Sequence, residues 1–362
     1  MAATTGTDAP ASAPSGGPAR RRGVPRGAAA PLLLLKRFIT MREGSVTIVT
    51  IALAIYFSAT IPVFFGVANF QTLLTYFAWL AIIAAGEVFL MINGEIDLSI
   101  GGVYLFAPLM FYEINGGGIP LVPSVILTLT ICMAIGFVNG VITAVLGVNS
   151  FITTLGTLFT LEGLTLIISH AQQLIMPGSP GTNPTTGAQE VGTFAQVFGA
   201  GTYSELIWAA IIVVLLQVAL TRTRWGLHTI AVGSNKIAAA EAGVKVRTVV
   251  IRNFMVCSTL AGLVGILEAV RSSTITPDPS AANSILLYAI ASAVIGGTLL
   301  AGGSGTIIGA FIGALFLGIL QDGLAIKGVN ADYLDFYLGL AIIFAMLINV
   351  YIGRTRRRSG VG

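Results

Sequence analysis

Ten apolar runs organise this chain, at about 46–65, 71–92, 99–114, 121–145, 151–169, 204–221, 249–269, 284–301, 306–321 and 333–352. Short stretches rich in polar residues or glycine separate them. A helical crossing of a bilayer needs roughly 20 apolar residues. The pattern therefore predicts an all-α, polytopic integral membrane bundle of about ten transmembrane helices. The third and ninth runs are short and glycine-rich. Residues 1 to about 30 are mostly Ala, Pro, Gly, Ser and Arg, a composition that buries no core and reads as disordered. The expected layout is a basic tail over 1–42, a membrane domain over 43–353 and a second basic tail over 354–362.

Lysine and arginine fix the orientation of such a bundle. Of the chain's 19, seven lie in the N-terminal tail, six in the segment 222–252 and four in the C-terminal tail. An even number of crossings puts all three on one face, which the positive-inside rule makes cytoplasmic. The opposite face carries the longest loop, about 170–203, which holds no Lys or Arg and reads as an irregular external segment. Asp278, Asp322, Asp332 and Asp335 fall at run ends on that face, either against a soluble partner or as solvated loop ends.

Composition agrees with a membrane protein and removes other classes. Of 362 residues, 55% are apolar and 9% charged, and the mean hydropathy is +0.90; a soluble domain carries about 25% charged residues. The net charge of +4 follows topology and is no nucleic-acid signature. Cys132 and Cys257 lie far apart in apolar runs, and His170 and His228 are the only histidines, so neither a disulfide nor a metal framework is implied. The short run Pro31–Leu35 with no small-residue site after it argues against a cleavable signal peptide.

The segment from Arg222 to Arg252 stands out. Asn235 is placed to cap a short helix over Lys236–Ala242, and Gly243 to end it in the left-handed conformation. Lys236, Ala239, Ala240 and Glu241 lie on that helix, and its alanines leave it thin enough for another protein to approach. The other reading is an ordinary connecting loop.

Polar groups also interrupt the apolar runs. Asn93-Gly94-Glu95-Ile96-Asp97-Leu98-Ser99 sets two carboxylates and an amide between two crossings. Ionisable groups near a bilayer face a cavity or a partner, and broken backbone is tolerated there only against protein or water. Asp97 suits a cap for a helix beginning near Leu98, with Ser99 adding a hydroxyl; contact with cargo or gating is the second role, compatible with the first. Glu87 and Glu162 lie within runs and point into the bundle. Glu268 and Arg271, three apart, suit an ion pair on one helix face. Asn139 and Asn149 bracket the end of the fourth run and read as caps.

Gly305, Gly309 and Gly313 recur every four residues and imply close helix packing, inside one subunit or between two. Gly302-Gly303-Ser304-Gly305 matches the GxSG of rhomboid-type serine proteases, but no histidine follows His228 to act as base. No GxxxxGK[ST] occurs, so the chain cradles no ATP phosphates by a P-loop.

Taken together, the residues resemble the permease subunits of bacterial ATP-binding-cassette importers for sugars of the ribose, xylose and galactose type. Asn93–Gly101 resembles that family's GGIDLSVG signature. Gly136–Gly140 with Asn149–Thr157 resembles GxxNG and NPFIATLGT. Thr221–Val244 resembles its TRFGR…AARLAGI loop, and Ile295–Leu324 its LGGTSLAGG…NNGL segment. The likeness covers roughly 46–352. Glu95 stands where many members have glycine, Ser150 where many have proline, and Gln321-Asp322 where many have Asn-Asn; these departures bear on the identity of the sugar.

The resemblance implies half of a membrane homodimer in the bacterial inner membrane. A separate ATPase subunit with tandem nucleotide domains would dock on Asn235–Gly243, and an external sugar-binding protein would deliver the solute. It implies no cofactor and no catalysis by the chain itself. Asn93, Glu95, Asp97, Ser99, Glu87 and Glu162 are the expected pathway or gating residues. Pentoses and hexoses come first as substrates, then inositols, nucleosides and furanone-type signals. The competing reading is an ion-coupled secondary transporter using Glu87, Glu95, Asp97 and Glu162 as a relay.

Overall fold

The structure, a computed structural model, describes residues 43–182 and 189–358. The expected N-terminal tail over 1–42 lies outside the described residues. Helices occupy each expected apolar run: α1 Gly44–Thr60, α2 Val67–Ile92, α3 Ser99–Gly116, α4 Leu121–Ala144 and α5 Ser150–Ile168. After the loop and a short α6 (Thr193–Val197) come α7 Ser204–Arg222, α8 Arg224–Ser234, α9 Lys236–Glu241 and α10 Val246–Ser272. α11 Pro279–Ile295, α12 Ile307–Ile326 and α13 Ala331–Arg358 complete the chain. Among the described residues six helices (α2, α4, α5, α7, α10 and α12) are long and apolar enough to cross a membrane. α1, α11 and the 333–344 stretch of α13 are apolar but shorter. The helix of α13 carries the backbone through Arg358, into the segment expected as a tail.

α2 is the axis of the bundle. From Leu80 to Ile92 every residue is buried, with α12, α10, α7 and α11 packed around it. α4 and α5 lie at the periphery and leave large apolar side chains such as Ile126, Phe151 and Phe159 exposed, as expected of helices that meet lipid. α3 is the exception to simple amphipathic logic, with Pro108 inside it and nearly every residue from Ser99 to Phe111 buried.

The spaced glycines pack inside the chain. A Cβ at Gly309 would lie 2.1 Å from the Gly296 carbonyl oxygen, and one at Gly313 2.1 Å from that of Ser292. α11 and α12 therefore touch backbone to backbone, the arrangement small residues permit. Gly305 does not share the helical face of the other two. It precedes α12, which starts after Thr306, whose Oγ1 accepts from Gly309 N.

The described parts of the 170–203 loop carry regular structure. Leu174–Ile175 (β1) pairs antiparallel with Thr274–Ile275 (β4) and ties the loop to the end of α10. Gly181–Thr182 (β2) pairs with Gln189–Glu190 (β3), and α6 follows.

Candidate functional site: a polar break and a cavity at opposite ends of one helix

α2 stops at Ile92 because the next residues break it. Asn93 closes the helix and Gly94 turns the chain at φ +74°, a conformation that glycine adopts without strain. The Asn93 side chain is buried, donates to the Thr229 carbonyl at 2.9 Å and accepts from Asn253 Nδ2 at 2.6 Å. Asn253 Nδ2 also lies 3.1 Å from the Phe89 carbonyl, and its Oδ1 accepts from Trp225 Nε1 at 2.7 Å. Trp225 stacks on Phe89 with ring centroids 4.5 Å apart. This network fastens α8 and α10 to the end of α2. Gly233 of α8 approaches so closely that a Cβ there would lie 1.9 Å from the Ile92 carbonyl oxygen. The Gly302-Gly303 turn closes the other side, with Gly303 N donating to Ile92 O at 2.8 Å.

A second network holds the start of α3. Asp97 is fully buried and accepts from Ser99 N at 2.9 Å, Ser99 Oγ at 2.5 Å and Ser258 Oγ at 3.3 Å. A buried carboxylate with three donors is a satisfied group. The residue at the helix-capping position is Leu98, with Asp97 accepting from Ser99 two residues on in the chain. Asn139 is no cap. It sits within α4, donates to Ser99 Oγ at 2.9 Å and accepts from Thr157 Oγ1 at 2.6 Å. Asn149 does cap, accepting from Phe151 N at the start of α5. Ser150 and Thr154 of α5 receive the amides of Ile96 and Leu98.

The segment expected to dock a partner has the predicted cap and stop. Asn235 Oδ1 accepts from Ile237 N and Ala238 N, and Gly243 has φ +84°. α9 ends at Glu241, one residue before the expected Ala242. Ala240 and Glu241 are exposed, whereas Ala239 is buried against its own chain. The large apolar side chain that α9 exposes is Ile237, 73% accessible. Lys236 reaches back to the break, its Nζ 2.6 Å from Glu95 Oε1. The structure thus joins a residue expected in coupling to one expected in the pathway.

Glu87 lies beside Asp97 of the second network, whereas Glu162 belongs to neither network. Glu87 is buried in α2 and accepts from the Cys257 thiol at 3.3 Å. Glu162 is buried on α5, with the Asn283 side chain as its partner.

The other end of α2 faces a cavity of about 520 Å³. It is lined by Gln71, Thr72, Thr75, Tyr76 and Trp79 of α2, Tyr104 of α3, the 199–202 turn, Glu268 and Arg271 of α10, Ile285 of α11 and Gln321 of α12. At 1.5 Å rise per residue, Gln71 and Ile92 lie about 30 Å apart, about the thickness of a bilayer's apolar core. The expected ion pair of Glu268 with Arg271 forms, and buried Glu205 adds a second carboxylate 3.4 Å from Arg271. None of the expected pathway residues lines this cavity. A stripe of polar and aromatic positions on α2 was its signal in the sequence: 71, 72, 75, 76 and 79 follow helical spacing inside an apolar run.

The aspartates read as span-end residues divide. Asp278 caps α11 by accepting from Ser280 N, and Asp335 accepts from the Tyr288 hydroxyl at 2.5 Å. Asp322 is not a solvated loop end. α12 continues past it, burying it where Asn69 Nδ2 donates at 2.8 Å. The Asp332 side chain lies outside the described residues.

Comparison with known proteins places these features in a family. A family profile described as "Branched-chain amino acid transport system / permease component" matches residues 69–347. The xylose/arabinose import permease protein XylH of Sulfolobus acidocaldarius is 37% identical over 334 residues, covering 89% of this chain and 88% of that protein. The ribose import permease protein RbsC of Escherichia coli is 33% identical over 310 residues, covering 85% and 94%. The D-allose transport system permease protein AlsC of the same species is 30% identical over 317 residues, covering 86% and 93%. No solved structure matches the chain.

Proposed function

The chain belongs to the family of ATP-binding-cassette importer permeases for sugars of the ribose and xylose type, and from that premise we propose that it forms the route by which a monosaccharide enters the cell. A separate ATPase hydrolyses ATP, an external binding protein delivers the sugar, and two copies of this chain assemble in the bacterial inner membrane. In this reading the chain crosses the bilayer ten times, with the 1–42 and 354–362 tails and the α8–α9 segment in the cytoplasm. The charge bias supports that orientation.

The observation that carries the proposal is the physical tie between α9 and the foot of α2. α9 is a short, capped helix that projects Ile237 outward and holds Glu95 through Lys236. A push on it reaches the Asn93–Asp97 link, from which α2, the axis of the bundle, and α3 both run. Force generated by an ATPase docked on α9 then has a rigid path to the solute route. Two of the four carboxylates that an ion relay would use are already committed. Asp97 is satisfied by its own chain, and Glu95 is engaged by Lys236.

Reconstitution tests the proposal. Proteoliposomes holding this chain, its ATPase and its binding protein should accumulate a pentose or hexose only when all three and ATP are present. Uphill uptake by the chain alone under a pH gradient would overturn it in favour of the ion-coupled reading.

A further inference from the structure

The cavity at the far end of α2 has a chemistry of its own. It is assembled from five helices and one turn, and its volume of about 520 Å³ lies within the roughly 300–1,000 Å³ of small-ligand sites. Polar side chains on a membrane helix are expected to find partners within the protein or to face a polar cavity. Among the described residues, the side chains of Gln71, Tyr76, Trp79, Tyr104 and Gln321 have no hydrogen-bond partner in the chain. Two amides, two phenols and an indole N–H therefore converge on one space with their donors and acceptors uncommitted. Three of the five are aromatic, offering flat apolar faces beside the polar groups.

The geometry points to this cavity as a binding site for a neutral, polyhydroxylated solute of monosaccharide size. Hydroxyl groups around a ring match the mixed donors and acceptors of amides and phenols, and the C–H face of such a ring suits an aromatic surface. Charge decides against the neighbouring classes. Arg271 is already flanked by Glu268 and buried Glu205, so an anionic solute finds no free cation among the lining residues and meets the Glu268 carboxylate. A branched aliphatic amino acid would bury the unpaired amides and phenols against methyl groups, and a polar group desolvated without a partner is costly. This inference rests on the import reading and assigns it a site: the cavity receives solute at one end of α2 while α9 is driven at the other.

A reporter thiol tests it in the full chain. Both native cysteines are buried, so Thr72→Cys at the cavity puts one accessible thiol there, and membranes containing this variant can be labelled with a maleimide. D-ribose, D-xylose or L-arabinose at millimolar concentration should slow labelling at least threefold, and L-leucine and D-glucose 6-phosphate should not. Adding Gln71→Ala and Gln321→Ala should abolish the protection while the thiol still reacts, which shows that the cavity persists. Protection by none of the three sugars, equal protection by L-leucine, or sugar protection that survives loss of both glutamines would overturn the site. So would a thiol that never reacts, because another surface then covers the cavity. ATP-driven sugar uptake at an undiminished rate in Gln71→Ala/Gln321→Ala would sink the site alone and leave the import reading standing. Absence of ATP-driven uptake in the unmutated, fully reconstituted system would sink the import reading, whatever the labelling shows.

Discussion

Lys236 Nζ lies 2.6 Å from Glu95 Oε1, joining the first residue of α9 to the link between α2 and α3 across 141 positions of sequence. Half of the Lys236 side chain is exposed, whereas Glu95 is largely covered. Pairs of this kind contribute only about 0.2–1 kcal/mol to stability, so the pair's value lies in where it connects. Glu95→Gln should leave the melting temperature within a few degrees but lower sugar transported per ATP hydrolysed several-fold. Lys236→Glu should do the same, and Glu95→Lys combined with Lys236→Glu should recover most of the ratio. Measuring uptake and phosphate release in the same proteoliposomes checks this. Unchanged coupling in both single variants would leave the pair without a mechanical role.

Asn253 should matter for stability more than any single exposed residue of α9. It donates to Asn93 and Phe89 and accepts from Trp225 at one buried point. Asn253→Ala removes the partners of a buried amide oxygen and an indole N–H, and a buried polar group left unpaired costs about 1–3 kcal/mol. The variant should melt lower, and the emission of Trp225 should change as its hydrogen bond is lost. Asn253→Asp keeps an acceptor for Trp225 but loses the donor to Asn93, so it should be nearly as destabilising while leaving the Trp225 emission closer to that of the parent chain.

The helices were legible because a bilayer dictates their length, and the cap at Asn235 and stop at Gly243 because both are local. What depended on distant partners was not. Nothing near Asn139 reveals that α4 delivers it to Ser99 and Thr157, so its place near the end of an apolar run suggested a cap. Asp322 looked solvated for the same reason, since the apolar run ends before it while the helix continues and meets Asn69. α8 was missed although Thr223 caps it by accepting from Gly226 N, because its basic and polar residues fit a loop equally well. The cavity draws on separated stretches between residues 68 and 321. In the sequence only the α2 stripe marked it, diluted by the leucines, phenylalanine and alanine among those positions.

Backbone contact between α11 and α12 leaves no room at Gly309. Gly309→Val should force the helices apart, and overpacking of this kind costs typically about 1–3 kcal/mol, occasionally more. Reduced accumulation and a lower melting temperature in detergent are expected. Gly163 of α5 is the control, because a Cβ there meets nothing within 4 Å. Gly163→Ala should be neutral or raise stability by up to about 1 kcal/mol, the helix-propensity difference.

Gly243 separates two effects that are usually confounded, loss of fold and loss of coupling. Its φ of +84° disfavours any side chain, yet an added Cβ would meet nothing within 4 Å. Gly243→Val therefore introduces local backbone strain of roughly 1–2 kcal/mol with no clash, and the simplest relief is a change in how α9 ends and points. The bundle around α2 does not depend on that turn, so the melting temperature should fall only slightly. Docking does depend on it in the proposed mechanism, because α9 is six residues long and its direction is set by Asn235 at one end and Gly243 at the other. ATP-driven uptake should fall several-fold while the ATPase, assayed in the same preparation, keeps hydrolysing. If uptake in Gly243→Val equals that of the parent chain, the direction of α9 is immaterial and force must enter the bundle elsewhere.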